Sequence, residues 1–145
     1  MKPIILEYVW IDAAGGMRSK TRVEHNMHHF SPDWMLSDHE RWDWSFDGSS
    51  TGQATGTDSD VIIRPVAIYP NPFYKKFDAH LVMCETYDKD GTTPHATNAR
   101  ARCAQTEAAC AADEPLFGIE QEYILFDRAK ETPYQWATAG DPGCG

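Results

Sequence analysis

Residues Ile4 to Glu24 set the first hard limit on the fold. Ile4-Ile5-Leu6-Glu7-Tyr8-Val9-Trp10-Ile11-Asp12 is dense in β-branched and aromatic residues, the types that fit a pleated, half-buried surface. It halts at Ala13-Ala14-Gly15-Gly16, where glycine permits the positive φ of a tight reversal. Ser19 to Glu24 then alternates basic and small residues with Val23. The pattern predicts a β-hairpin whose second strand is polar on one side. A hairpin alone is marginal in water, and further strand patterns follow.

Asp60 to Ala67 and His80 to Tyr87 are the next two strands, separated by a Pro-Asn-Pro turn at Pro70 to Pro72. Pro65 lacks a ladder donor, so it either places the earlier strand at an edge or ends its regular pairing early. Between hairpin and strands, His25 to Trp44 shows no clean period and reads as a long loop with one helical turn. Phe46-Asp47-Gly48-Ser49-Ser50-Thr51-Gly52 continues as a small-residue loop. A structureless stretch of that length in a compact domain is uncommon unless functional or disordered. After a turn at Asp88 to Gly91, Thr97 is placed to cap a helix from Asn98 to Ala112. Ala99, Cys103, Thr106 and Cys110 fall on one small-residue face of that helix, suited to lying against a sheet. A last strand is expected over Leu116 to Phe126, after which periodicity is lost. The order predicts an α+β fold, a mixed sheet with one helix across it. Trp10, Trp34, Trp42, Trp44 and Trp136 read as core or interface residues.

At 145 residues and 41% hydrophobic content, the chain suits one ordinary domain, or one small domain with part of a second. No apolar run approaches the ~18 residues of a membrane span, and the N-terminus turns acidic before a signal-peptide core develops. An intracellular, cytoplasmic protein is expected, with Cys84, Cys103, Cys110 and Cys144 as reduced thiols. A formal charge of −9 argues against broad binding to a phosphate backbone. It does not exclude a nucleotide, because a carboxylate-held metal can bring phosphates to an acidic protein.

Within Phe117-Gly118-Ile119-Glu120-Gln121-Glu122-Tyr123, alternation along a strand puts Glu120 and Glu122 on one face and Ile119, Gln121 and Tyr123 on the other. Two half-buried carboxylates held side by side need a cation or a proton between them; the alternative is a solvated strand face. Arg18, Lys20 and Arg22 alternate on one strand, either lining a charged interface or solubilising an edge. His25, His28 and His29 fit no standard zinc spacing.

Taken together, Arg18-Ser19-Lys20-Thr21-Arg22, the Phe46 to Ala54 loop, Asp58-Ser59-Asp60-Val61, Thr97-Asn98-x-Arg100 and Phe117 to Tyr123 occur in the order and spacing of the eukaryotic-type (type II) glutamine synthetases. The resemblance runs from about Glu7 to Trp136. It implies a β-grasp N-terminal domain over residues 1–87, with a mixed sheet and one packed helix. Residues 88–145 would then be the start of an incomplete catalytic domain carrying its first strand. The implied activity is ATP-dependent ligation of ammonia to L-glutamate through γ-glutamyl phosphate, with Mg²⁺ or Mn²⁺ neutralising charge during phosphoryl transfer.

By the same resemblance Glu120 and Glu122 are two metal ligands, and Gln121 is structural. Asp47 and Ser50 are the catalytic candidates: Asp47 binds ammonium across a subunit interface and accepts its proton, while Ser49 and Ser50 hold the loop and Gly48 lets it bend. No nucleic acid or membrane partner is implied; a homo-oligomer is. The match departs at Leu116, where the family has Trp, and at His95-Ala96, where an acidic residue is common. The family's remaining metal, glutamate and ATP-binding residues have no counterpart here, so the chain alone is expected to be inactive, with Ile119, Tyr123 and Leu125 left exposed. A different expectation is a noncatalytic module that docks on full-length synthetase subunits.

Overall fold

The hairpin forms as the pattern requires. In the computed structural model, which describes residues 3–25, 30–128 and 132–134, β1 (Ile4–Ile11) pairs antiparallel with β2 (Met17–Glu24) from Ile4↔Glu24 to Ile11↔Met17. Alternation buries Ile4, Leu6, Tyr8 and Trp10. The reversal between the strands is built on Asp12, whose Oδ1 accepts from the backbone N–H groups of Ala14 at 3.0 Å and Gly16 at 2.7 Å. Arg18 Nε donates to Oδ2 at 2.8 Å, and that bond leads the causes that hold the carboxyl below the ordinary carboxylate range. Gly15 supplies the left-handed residue, at φ +82°.

Two short helices, α1 (Pro32–Ser37) and α2 (His39–Trp42), stand where the sequence pattern reads as a long loop. Each buries one large side chain, Met35 and Trp42. One inward residue per helix leaves no repeating apolar stripe, which is why no period marks them. Pro32 opens α1 at a position where a missing N–H costs nothing. Asp38 caps α2 by accepting from Arg41 N–H at 3.3 Å.

β3 (Trp44–Asp47), β4 (Asp60–Pro70) and β5 (Asp78–Tyr87) complete a five-stranded sheet of order β2-β1-β5-β4-β3. β1 and β5 run parallel, Ile4↔Asp78 to Val9↔Met83, and the other pairs are antiparallel. The expected α+β, β-grasp-like mixed sheet is therefore present. Pro65 is not on an edge strand. β3 stops pairing at Trp44↔Ile63, and the β4–β5 register shifts between Pro65 and Ala67, so the missing donor falls at a bulge and the strand continues beyond it.

The sheet curls until its two outer strands meet. Lys20 on β2 donates to the Ser45 carbonyl on β3 at 2.6 Å and sits 3.6 Å from the Trp44 ring centroid. Arg22 donates to the Arg41 carbonyl at 3.1 Å and lies 5.0 Å over Trp42. Lys20 and Arg22 thus bridge the two ends of the sheet order, while Arg18 stays exposed on the edge strand and pairs with Asp12. Inside the curl, Tyr8 meets Trp44 edge-on at 5.5 Å and Trp10 meets Phe46 at 4.5 Å, over Leu6, Ile63 and Val82.

α3 (Ala99–Ala109) is capped by Asn98, not Thr97: Asn98 Oδ1 accepts from Ala101 N–H at 3.0 Å. Ala101 is its one buried residue; Ala99, Cys103 and Thr106 of the expected packing face are exposed. Among the described residues no helix is long and apolar enough to cross a membrane, and Cys84, Cys103 and Cys110 are free thiols. The chain divides into two units, Met1–Ala112 and Asp113–Gly145. In the second, β6 (Phe126–Asp127) pairs antiparallel with β7 (Thr132–Pro133).

Closure of the curl is testable at Tyr8, whose buried hydroxyl donates to the Trp42 carbonyl at 3.0 Å. Tyr8→Phe is expected to lower the unfolding free energy by about 1 kcal/mol, and Leu6→Ala by about 2–5 kcal/mol, both read by urea denaturation. Equal, negligible losses would contradict the packing described.

Candidate active-site loop

The loop that leaves β3 is organised around Asp47. Its side chain is exposed, and its Oδ1 accepts from both Ser49 N–H at 3.0 Å and Ser49 Oγ at 2.6 Å. Those bonds start a 3₁₀ turn over Gly48–Thr51. Ser50 Oγ does something else: it donates to the Asp47 backbone carbonyl at 2.9 Å and does not touch the carboxylate. Ser49 and Ser50 therefore divide the work, one fixing the side chain and the other the backbone. The Ser49 hydroxyl, then the Ser49 N–H and the Ser59 hydroxyl, hold the Asp47 carboxyl below the usual carboxylate range. An exposed anion braced by Ser49 and Ser59 thus faces solvent.

Gly48 matters for space and not for bending. A Cβ there would lie 2.6 Å from Val61 Cγ2 and 2.9 Å from Ala54 Cβ, while the Gly48 backbone donates to Ser59 O at 2.7 Å and accepts from Gln53 N at 2.8 Å. The loop is clamped to β4 at this point.

Behind it, three side chains close a ring of hydrogen bonds. Gln53 Nε2 donates to Thr97 Oγ1 at 2.9 Å, Thr97 Oγ1 lies 2.8 Å from His95 Nδ1, and His95 Nε2 lies 2.7 Å from the Gln53 carbonyl. Because Thr97 N–H also points at His95 Nδ1, at 3.2 Å, that nitrogen is the acceptor and Nε2 carries the proton. The Thr97-Asn98-x-Arg100 motif is explained here as docking chemistry. Thr97 joins the ring, Asn98 Nδ2 donates to Thr86 O at 2.8 Å, and Arg100 pairs with Glu85 at 3.3 Å. Sequence reasoning missed the roles of His95 and Gln53 because the bonds that join Gln53 to Thr97 and to His95 span more than 40 residues of chain.

The second candidate cluster takes a different form. Residues 116–125 lie in no ladder among the described residues; of the expected strand over Leu116 to Phe126 only Phe126 pairs, at β6. A strand needs a partner to take its backbone groups; among the described residues, 116–125 have no strand partner, and Leu125 O accepts from Tyr134 N–H at 2.6 Å at the β6–β7 end. Glu120 and Glu122 are exposed, as are Gln121, Ile119, Tyr123 and Leu125. Both carboxylates have the hard oxygens a divalent cation prefers, yet among the described residues no group of three His, Cys, Asp or Glu side chains converges to hold one. The pair alone does not make a metal site. His28 and His29 lie outside the described residues, as does Cys144.

Against known proteins, residues 4–89 match the family model described as glutamine synthetase, beta-Grasp domain. Curated glutamine synthetases are similar along almost the whole chain. Those of Tuber borchii and Emericella nidulans are each 46% identical over 140 residues, covering 97% of this chain and 36% of theirs. That of Hebeloma cylindrosporum is 46% identical over 137 residues, covering 94% of this chain and 36% of its own. The chain thus spans about a third of the length of the relatives it matches. A solved structure described as a GmaS/ADP complex shares the fold with a TM-score of 0.51 at 14% identity, covering 75% of this chain and 23% of that one.

Two measurements test the loop. Gly48→Ala is expected to cost about 1–3 kcal/mol, because Val61 and Ala54 must give way. In an NMR pH titration the Asp47 carboxyl is expected to titrate below the ordinary carboxylate range, and Ser49→Ala to move it upward. Any support the anion lends the turn is present above that ordinary range and lost as pH falls through Asp47's own lowered midpoint. An unchanged midpoint in Ser49→Ala would contradict the assigned bonds.

Proposed function

This chain belongs to the glutamine synthetase family, and from that premise we propose that it serves ATP-dependent ligation of ammonia to L-glutamate, supplying the ammonium-binding loop. The observation that carries the reading is the Asp47 carboxylate, pinned by Ser49 and exposed to solvent. An anion of low proton affinity attracts ammonium well and holds a proton poorly. It therefore seats the cation first; the seated ammonium then gives one N–H proton to the carboxylate, and the neutral ammonia so formed has the lone pair that attacks the acyl carbon and displaces phosphate. Ser50, through the Asp47 carbonyl, is a positioning residue for that carboxylate.

In this proposal residues 1–87 are the N-terminal domain and 88–145 begin the catalytic domain, in a cytoplasmic enzyme built from several subunits. Glu120 and Glu122 are offered as two ligands for Mg²⁺ or Mn²⁺, with further ligands and the ATP and glutamate contacts supplied from beyond the described residues. The metal, when bound, neutralises phosphoryl charge.

A second reading is favoured by one observation: the exposed Glu120 and Glu122 have no third ligand at hand among the described residues. Under it, a polypeptide of these residues is a noncatalytic module that docks on full-length synthetase subunits. A γ-glutamyl hydroxamate assay with ATP and Mg²⁺ or Mn²⁺ on the purified 145-residue chain is expected to show no turnover above its Glu120→Ala variant. Turnover above that control would overturn the expectation of inactivity. Co-purification with a complete synthetase would favour the docking module.

A further inference from the structure

The sheet has a second face that the catalytic reading leaves unused. Leu6, Tyr8 and Trp10 point inward, so Glu7 and Val9 point outward. There Val9, Met17, Leu81 and Met83 form the floor of a groove of about 400 Å³, closed at one end by Tyr69 and Phe73. Met17 is 72% exposed and Phe73 81%, so this apolar patch stands in water.

One carboxylate, Glu7, faces the groove. Its Oε2 accepts from Asn71 Nδ2 at 3.0 Å, and among the described residues no cation pairs with it. Arg18 also lines the groove, and its Nε is paired with Asp12 at 2.8 Å. On the rim, the β4–β5 connection displays Phe73, Tyr74 and Phe77 around Lys75 and Lys76. This loop is built, not loose. Asn71 is buried, takes Phe73 N–H on Oδ1 at 3.0 Å and donates its own N–H to Ala79 O at 2.8 Å, and Phe77 N–H bonds Tyr74 O at 2.9 Å. Lys75 and Lys76 are exposed and form no ion pair among the described residues.

Apolar floor, lone carboxylate, projecting rings and unpaired lysines therefore lie in one continuous patch, with Phe73 belonging to both groove and loop. We propose that this patch is self-complementary and pairs two copies of the chain about a two-fold axis. The Lys75-Lys76 tip of each copy reaches Glu7 of the other, and Phe73 and Phe77 enter the other's groove. A two-fold contact requires one surface to carry both halves of each interaction, so that residue i meets j and j meets i. This surface does: among the described residues its opposite charges do not pair, and its rings stand beside a groove. In a chain of net charge −9, two lysines and a glutamate on this patch, without an ion pair among the described residues, also give the contact a register that general repulsion would otherwise oppose.

Sedimentation equilibrium over a concentration series tests the pairing. The wild-type chain is expected to reach a dimer. Glu7→Lys alone, and Lys75→Glu with Lys76→Glu, are each expected to raise the dimer Kd at least tenfold, and all three substitutions together to bring it back to within about threefold of wild type. Phe73→Ser, at an exposed position outside the charge pair, is expected to weaken the dimer as well, and circular dichroism checks that each variant stays folded. If Glu7→Lys does not fold, the lysine and Phe73 variants decide. A chain that stays monomeric, an association insensitive to the one-sided charge reversals and to Phe73→Ser, as contact through the exposed Leu116 to Leu125 stretch would be, or a failure of the combined variant to recover would each overturn the proposal.

Discussion

The structure depends on the meeting of its two outermost strands. Lys20 and Arg22 on β2 reach across to Trp44, Ser45, Trp42 and Arg41, although β2 and β3 stand at opposite ends of the sheet order. Each cation over a ring contributes only about 0.5–2 kcal/mol. Burying a side chain such as Leu6 or Ile63 contributes about 1.5–3 kcal/mol, and many such residues line the interior. The cations therefore fix where the curl closes, while apolar burial supplies most of the driving force. The indole rings serve both ends, packing inward on Tyr8 and Phe30 and outward under the cations.

Because β3 is held from both sides, the loop leaving it starts from a fixed base. Gly48 sits against Val61 with no room for a side chain, and Asp47 precedes it. The Ser49 bonds then decide the electrostatics: they stabilise the anion more than its neutral form, so Asp47 is charged wherever a cation could approach. From the far side, the ring of Gln53, Thr97 and His95 fastens the end of the same loop to the start of α3. Fold and candidate chemistry thus share one strand end.

Much of this was legible in the residues. The hairpin, β4 and β5 carry period-two patterns and turn residues strong enough to read directly, and the Asp47 loop stands out as small residues around a carboxylate. Other features depended on contacts distant in the chain. α1 and α2 each bury a single side chain, too few for a period. The small-residue face of α3 looks made for packing, yet only Ala101 is buried, because the helix is attached through Asn98 and Arg100 at its N-terminus. Leu116 to Phe126 has the composition of a strand, but strand identity belongs to a pair, and composition cannot state whether a partner is present. The roles of Ser49 and Ser50 were foreseeable as loop bracing; which serine holds the carboxylate was not, since that follows from turn geometry.

The central claim, that Asp47 performs the ammonium chemistry of a synthetase, is tested most directly by growth without glutamine. The chain would be fused to the remaining portion of the similar Tuber borchii enzyme and expressed in a glutamine auxotroph, with assembly of each protein checked by sedimentation. The wild-type fusion is expected to restore growth, and Asp47→Asn, assembled to the same extent, to abolish it. Equal growth from both fusions would contradict the role assigned to Asp47.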